Sequence, residues 1–145
     1  NNSRMRMPAN KRTDAYHDVV EQAGLPALVR EVEFVKSDDE KSAVVAKILD
    51  ENPDIDGIFA GDDTMAAICL NVMKQRGLSA PGDIKVVGAD GARRTMTFMP
   101  DLTTVRQDID RIGELAAQSI IALINGEKPE SNIKLPVELI EGKTA

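Results

Sequence analysis

Cysteine is almost missing from this sequence: Cys69 stands alone, so no disulfide can form within the chain. Histidine is as scarce, with His17 the one example, which leaves a nucleophilic triad without a usable base and a metal site without its commonest ligand. No apolar run approaches the roughly 18 residues that would read as a membrane span. The first residues, Asn1 to Met7, are polar and basic with no apolar run behind them, which is not the pattern of a signal peptide. Positive charge is in deficit, 18 Lys and Arg against 24 Asp and Glu for a net charge of −6, so this chain is a poor candidate for gripping nucleic acid directly. What is plentiful is aliphatic side chain. Hydrophobic residues make up 42% of 145 residues and no long like-charge run interrupts them, which supports one ordinary folded domain and excludes a disordered chain.

Helical and extended periods alternate along the chain. Ala15, Tyr16, Val19, Val20 and Ala23 follow helical spacing from Pro8 to Gly24. Leu28 to Val35 alternates apolar and charged residues and predicts a strand. Ser37-Asp38-Asp39-Glu40 is a capping-box signature opening a helix that carries Val44, Val45, Ile48 and Leu49 and ends before Pro53. Ile55 to Ala60 predicts a short strand. Asp62 or Asp63 then caps a helix whose inward stripe is Met65, Ala66, Cys69, Leu70 and Met73. Ile84 to Ala89 reads as a strand buried on both faces, and Leu102 to Val105 as another. A long helix follows from about Asp108 to Asn125, with Ile112, Leu115, Ala116, Ser119 and Leu123 at helical spacing. Ile133 to Ile140 is extended, and Pro136 within it argues for an edge or a bulge. Helices interleaved with short strands predict an α/β fold with a doubly wound, mostly parallel sheet. The chain opens on a helix where a first strand would be expected, so the sheet reads as incomplete at its N-terminus and the chain as a segment of a longer polypeptide.

Ligands of open α/β sheets bind beyond the carboxyl ends of the strands. Three polar groups fall there: Gly61-Asp62-Asp63, Asp90-Gly91, and the stretch Thr103, Thr104, Arg106, Gln107 and Asp108. An aspartate after a strand is in most cases a helix cap, but several such groups on one rim point to a polar ligand. The residue types of a phosphotransfer receiver are present, yet Lys128 follows a helix rather than a late strand, so their order is wrong. A two-carboxylate hydrolase would need a separation that sequence does not supply. No glycine-rich phosphate loop is present.

The stretches Asp54 to Ala67, Pro81 to Asp90 and Pro100 to Asp108 together resemble the effector-binding module of the lactose-repressor/galactose-repressor family of bacterial transcription regulators. The segment Pro-Asp-Leu-Thr-Thr-Val-Arg-Gln is the most specific of them. The opening Arg12 to Tyr16 and the closing Leu135 to Ile140 fit as well, so the resemblance runs from about residue 8 to 145. It implies a periplasmic-binding-protein-like fold of two lobes, of which this chain holds mostly the C-terminal one, with a pass into the other lobe at about 108–134. The DNA-binding head of such a regulator lies outside this chain.

The resemblance further implies that Arg12, Asp62, Asp90 and Gln107 contact a small effector, a sugar or sugar derivative, with Asp63 a helix cap or structural neighbour. A guanidinium offers five donors in a fixed fork, suited to adjacent hydroxyls. Asp62 stands where several members have asparagine; as a carboxylate it only accepts, which bears on ligand choice. Lys36 stands near a position where sugar-binding members carry an aromatic platform. A homodimer is implied through Ala67, Leu70, Asn71, Lys74, Met96 and Phe98, with operator DNA as the partner of the missing head. Catalysis, a cofactor, a metal and a membrane partner are not implied, and the expected location is cytoplasmic. The alternative reading is a secreted or periplasmic sugar-binding protein of a transport system, which has the same fold.

Overall fold

The computed structural model describes residues 7–33 and 36–145. The first helix, α1 (Met7–Gln22), is followed by residues 25–33, which form neither helix nor strand, and then by α2 (Asp38–Glu51). Next come β1 (Gly57–Phe59), α3 (Asp63–Gln75), β2 (Lys85–Asp90), α4 (Arg93–Phe98), β3 (Thr103–Gln107), α5 (Ile109–Ile124) and β4 (Val137–Ile140).

The helix starts are set by local chemistry. At α2 the Ser37 hydroxyl accepts from the Glu40 amide while the Glu40 carboxylate accepts from the Ser37 amide, the reciprocal arrangement expected from the sequence. Asp62 caps α3 by accepting from the Met65 amide at 2.7 Å, and Asp108 caps α5 by accepting from the Arg111 amide at 2.9 Å. Each cap satisfies an amide that has no partner inside its own helix.

One four-stranded sheet organises the described residues, in the order β1-β2-β3-β4. The first three strands are parallel and β4 returns antiparallel to β3. The sheet is therefore mostly parallel, as expected of a β-α-β chain, and its order runs in one direction with no reversal among the described residues. The core lies on one face of it. Ala66, Ile68, Cys69, Val72 and Met73 of α3 meet Val45 and Leu49 of α2 and Ala60, Ile84, Val86 and Leu102 from the sheet and its approaches. The C-terminal residues are tied into this body: the Thr144 hydroxyl donates to the Val86 carbonyl at 2.7 Å and accepts from the Thr103 amide at 2.9 Å.

Several expectations need correction. No strand forms over residues 28–33, and Phe34 and Val35, the end of that expected strand, lie outside the described residues, as does the polar start over residues 1–6. Alternation of side chains is not enough for a strand without a ladder partner, because backbone groups must be paired by a neighbour. The strand expected over Ile55 to Ala60 is only Gly57–Phe59, and its outer edge pairs with nothing among the described residues. The last strand begins at Val137 and not at Ile133, since Pro136 has no amide to give the ladder; β4 is the edge strand that this proline requires. Separately from these corrections, α5 has no buried residue: Ile112 is 43% and Leu123 62% exposed, so its apolar spacing has no covering layer among the described residues.

Candidate functional site

The carboxyl ends of β2 and β3 lie side by side, with Asp90 opposite Arg106 in the parallel register. That pairing brings the last residue of β2 next to the last of β3: the Gln107 side-chain amide donates to Asp90 Oδ1 at 2.7 Å. The same carboxylate oxygen lies 3.7 Å from an Arg12 Nη1 of α1. Both charged side chains are more than a third exposed, 36% for Arg12 and 40% for Asp90, so the group opens to solvent. Asp90, Gln107 and Arg12 thus converge directly. Asp62 is close enough for its charge to act on Asp90, while one of its oxygens is committed to capping α3.

The two adjacent aspartates divide the roles that the sequence left open between them. Asp62 is the helix cap. Asp63 is not: it is 3% exposed, and its carboxylate accepts from the Thr104 hydroxyl at 2.5 Å and from the Gly91 amide at 2.9 Å. The bend after β2 is sharp. Asp90 has φ +103° and Gly91 φ +58°, and a Cβ on Gly91 would lie 2.7 Å from the Arg106 Cα. Sequence reasoning missed Thr104 and Gly91 as partners of Asp63. The spacing of 28 and 41 residues carries no local signal for either.

Burial pushes the Asp90 carboxyl above its ordinary value, with the negative charges of Asp62 and Asp63 adding to the effect and Arg12 and Gln107 opposing it. Because the native value lies above the unfolded one, the contribution of Asp90 to stability improves as pH falls through that native value and is least favourable above it. Asp62→Asn is expected to lower the Asp90 titration midpoint and Arg12→Ala to raise it, both followed by carbon NMR of the carboxyl group. Midpoints that move the other way would show that these charges do not face one another. Elsewhere, burial pushes the Cys69 thiol up to about 11, so a thiolate is negligible at neutral pH and the thiol is not an activated nucleophile. Among the described residues, no group of His, Cys, Asp and Glu could hold a metal ion, and no helix is long and apolar enough to cross a membrane.

Two surfaces flank the rim. A groove of about 410 Å³ begins at Gln107 and runs along Ile112, Leu115 and Ser119 of α5 to Ile133 and Leu135. The second comprises the residues expected at a dimer face, on α3 and α4. Ala67, Leu70 and Met96 are half-buried, and Asn71, Lys74 and Phe98 are exposed, Phe98 by 74%.

The profile of the periplasmic binding protein-like domain matches residues 1–145. The chain belongs to that family. Two of its curated relatives are the ribose operon repressor of Halalkalibacterium halodurans, 32% identical, and the sucrose operon repressor of Pediococcus pentosaceus, 33% identical. The alignments cover 94% and 95% of this chain but 41% and 43% of those repressors, so the chain spans less than half the length of either. Among solved structures, a dimeric Lac repressor with an 11-residue C-terminal deletion superposes with a TM-score of 0.81 at 26% identity, covering 94% of this chain and 50% of that one. A LacI family regulator from Arthrobacter in complex with lactose superposes with a TM-score of 0.75 at 26% identity, covering 90% of this chain and 50% of that one. The α/β architecture of this periplasmic binding protein-like chain and its mostly parallel sheet match the fold of the Lac repressor core, the superposition covering 42% of the repressor chain.

Proposed function

We propose that this chain is the effector-sensing and dimerisation part of a bacterial, cytoplasmic, DNA-binding transcriptional regulator, with a sugar or sugar derivative as effector. The observation that carries the reading is the convergence of Arg12, Asp90 and Gln107 on one rim at the strand ends, in a chain whose matched relatives are operon repressors. That rim mixes fixed donors with acceptors, as a polyhydroxylated ligand requires. The repressor relatives favour a regulator over a transport protein of the same fold, and sensing over catalysis.

The described residues are mostly the C-terminal lobe, and residues 108–134 are the pass into the other lobe. The uncovered apolar side chains of α5 support that division, because a helix of this pattern is stable in water only when another layer covers it. A ligand held between two lobes shifts their arrangement only through its different affinity for each, worth about 1–3 kcal/mol of coupling in typical systems. Two copies joined through α3 and α4 then reposition DNA-binding heads that lie outside this chain.

The test uses the full-length regulator. Ribose and sucrose, the sugars in the relatives' names, are titrated calorimetrically with the protein bound to and free of its operator. Arg12→Ala is expected to weaken the binding sugar by about tenfold or more, the range for a hydrogen bond to a charged group. Unchanged affinity removes Arg12 from the site, and no coupling to operator binding overturns the sensing role. For the dimer face, Phe98→Asp is expected to halve the mass measured by light scattering while the fold persists, since burying a carboxylate in an apolar contact is costly. A folded variant of unchanged mass would place the interface elsewhere.

A further inference from the structure

We propose that Asp63 is a positioning residue for the ligand rim: without facing the ligand itself, it fixes the turn that presents Asp90 to Arg12 and Gln107. The inference rests on the effector-site reading above for its functional meaning, but its geometry stands in this chain alone.

Asp63 is the first residue of α3 and is buried beneath the strand ends. Its two carboxylate oxygens divide their work. Oδ2 accepts from the Gly91 amide, the residue immediately after Asp90, and Oδ1 accepts from the hydroxyl of the fully buried Thr104, the second residue of β3. One side chain therefore joins the start of α3, the bend after β2 and the strand that ends in Gln107. The approach is possible because residue 88 is glycine; a Cβ there would lie 2.5 Å from Asp63 Oδ1 and 3.3 Å from Thr104 Oγ1. Gly88 thus leaves the space through which α3 reaches β3.

The tie matters because the turn it holds is unfavourable by itself. Asp90 sits at φ +103°, a backbone conformation that side chains other than glycine rarely adopt, and such a residue persists only when its surroundings hold it there. The Gly91 amide bonded to a buried carboxylate is that restraint on one side, and the Gln107 amide on the Asp90 carboxylate is the restraint on the other. Releasing the first lets the Asp90 backbone relax, which moves its carboxylate away from Arg12 and Gln107. The position following the helix cap in the Gly61-Asp62-Asp63 motif is then read as a determinant of site geometry and not of helix initiation.

The experiment compares wild-type chain with Asp63→Asn, Asp63→Leu, and the double variant Asp63→Leu with Thr104→Val. Asparagine keeps one acceptor for the Gly91 amide and turns the Thr104 contact into an amide donating to the hydroxyl. Leucine removes both acceptors at similar volume. The double variant removes the buried hydroxyl as well, which spares the fold an unsatisfied group and keeps the test open where the single leucine variant does not fold. Three readouts are followed: hydrogen exchange of the Gly91 amide, the NMR signal of the Gln107 side-chain amide, and unfolding in urea. The leucine variants are expected to lose about tenfold or more of the Gly91 protection and to shift the Gln107 signal to that of a free side chain, with Asp63→Asn retaining both. Folded leucine variants of lower stability but unaltered Gly91 and Gln107 signals would make Asp63 merely structural and overturn the proposal. A parallel sugar titration in the full-length regulator separates the two claims. If the wild-type regulator binds no sugar, the effector reading fails while the exchange and Gln107 signals still decide the positioning role.

Discussion

Met73→Ala is expected to lower the stability of the chain by about 2–5 kcal/mol, the range measured when a buried long side chain is cut to a methyl group. Met73 is 1% exposed and sits in the cluster that α3 forms with Val45 and Leu49 of α2 and with Val86 of β2. Truncation removes apolar contacts and leaves a cavity, and the cost depends on how far α2 and β2 close over it. A urea titration followed by circular dichroism measures the change. A loss below about 1 kcal/mol would mean that the layer of α2 collapses freely onto α3, contrary to a core organised around this helix. Met73→Leu, which keeps volume, is expected to cost far less.

Gly91→Ala is the second large effect, and it acts on the site as well as the fold. The added methyl group meets the Arg106 Cβ at 2.6 Å and its Cα at 2.7 Å, so either β3 or the bend must shift. The left-handed backbone adds strain of its own. Together these are expected to cost about 1–3 kcal/mol, the usual scale for a residue forced into a sparsely populated backbone region. The Gln107 to Asp90 hydrogen bond should weaken with the shift, because both residues end the two strands that the new methyl group pushes apart. The urea midpoint reads the first effect and the Gln107 side-chain NMR signal the second. Wild-type values for both would show that the bend relaxes without disturbing β3.

The carboxyl groups of the fold divide in their response to pH. The Ser37, Arg76 and Ser79 partners hold the carboxyl groups of Glu40, Asp50 and Asp83 below their ordinary values. Their stabilising contribution is present above the unfolded carboxyl range and is lost as pH falls through the lowered native values. Asp90 runs the opposite way, since its native value is raised. Acidification therefore weakens the caps and turns while relieving the crowded carboxylates at the rim.

The starts of α2, α3 and α5 were legible in the sequence because their causes are local, whereas α4, whose start has no side-chain cap, was not. A serine three residues before a glutamate, or an aspartate just ahead of an apolar stripe, satisfies amides within one turn, and α2, α3 and α5 start where those signals stand. The mostly parallel sheet was legible for a related reason, since short apolar strands separated by helices have few ways to pair. The three motif stretches also carried the family resemblance, and Asp90 and Gln107 were readable from them as rim residues.

Tertiary structure alone decided the rest. Whether residues 28–33 form a strand depends on a neighbour to complete the ladder, and whether the apolar face of α5 is buried depends on a layer to cover it; neither is a property of the segment itself. The division of roles between Asp62 and Asp63 has the same origin. Both residues satisfy the local chemistry of a cap, and only the glycine at position 88 and the hydroxyl at position 104, brought beneath the helix start by the sheet, draw Asp63 inward and leave Asp62 to the cap. Sequence reports interactions that close within a helical turn or alternate along a strand. A carboxylate that joins residues 28 and 41 positions away is specified only when the sheet has placed them.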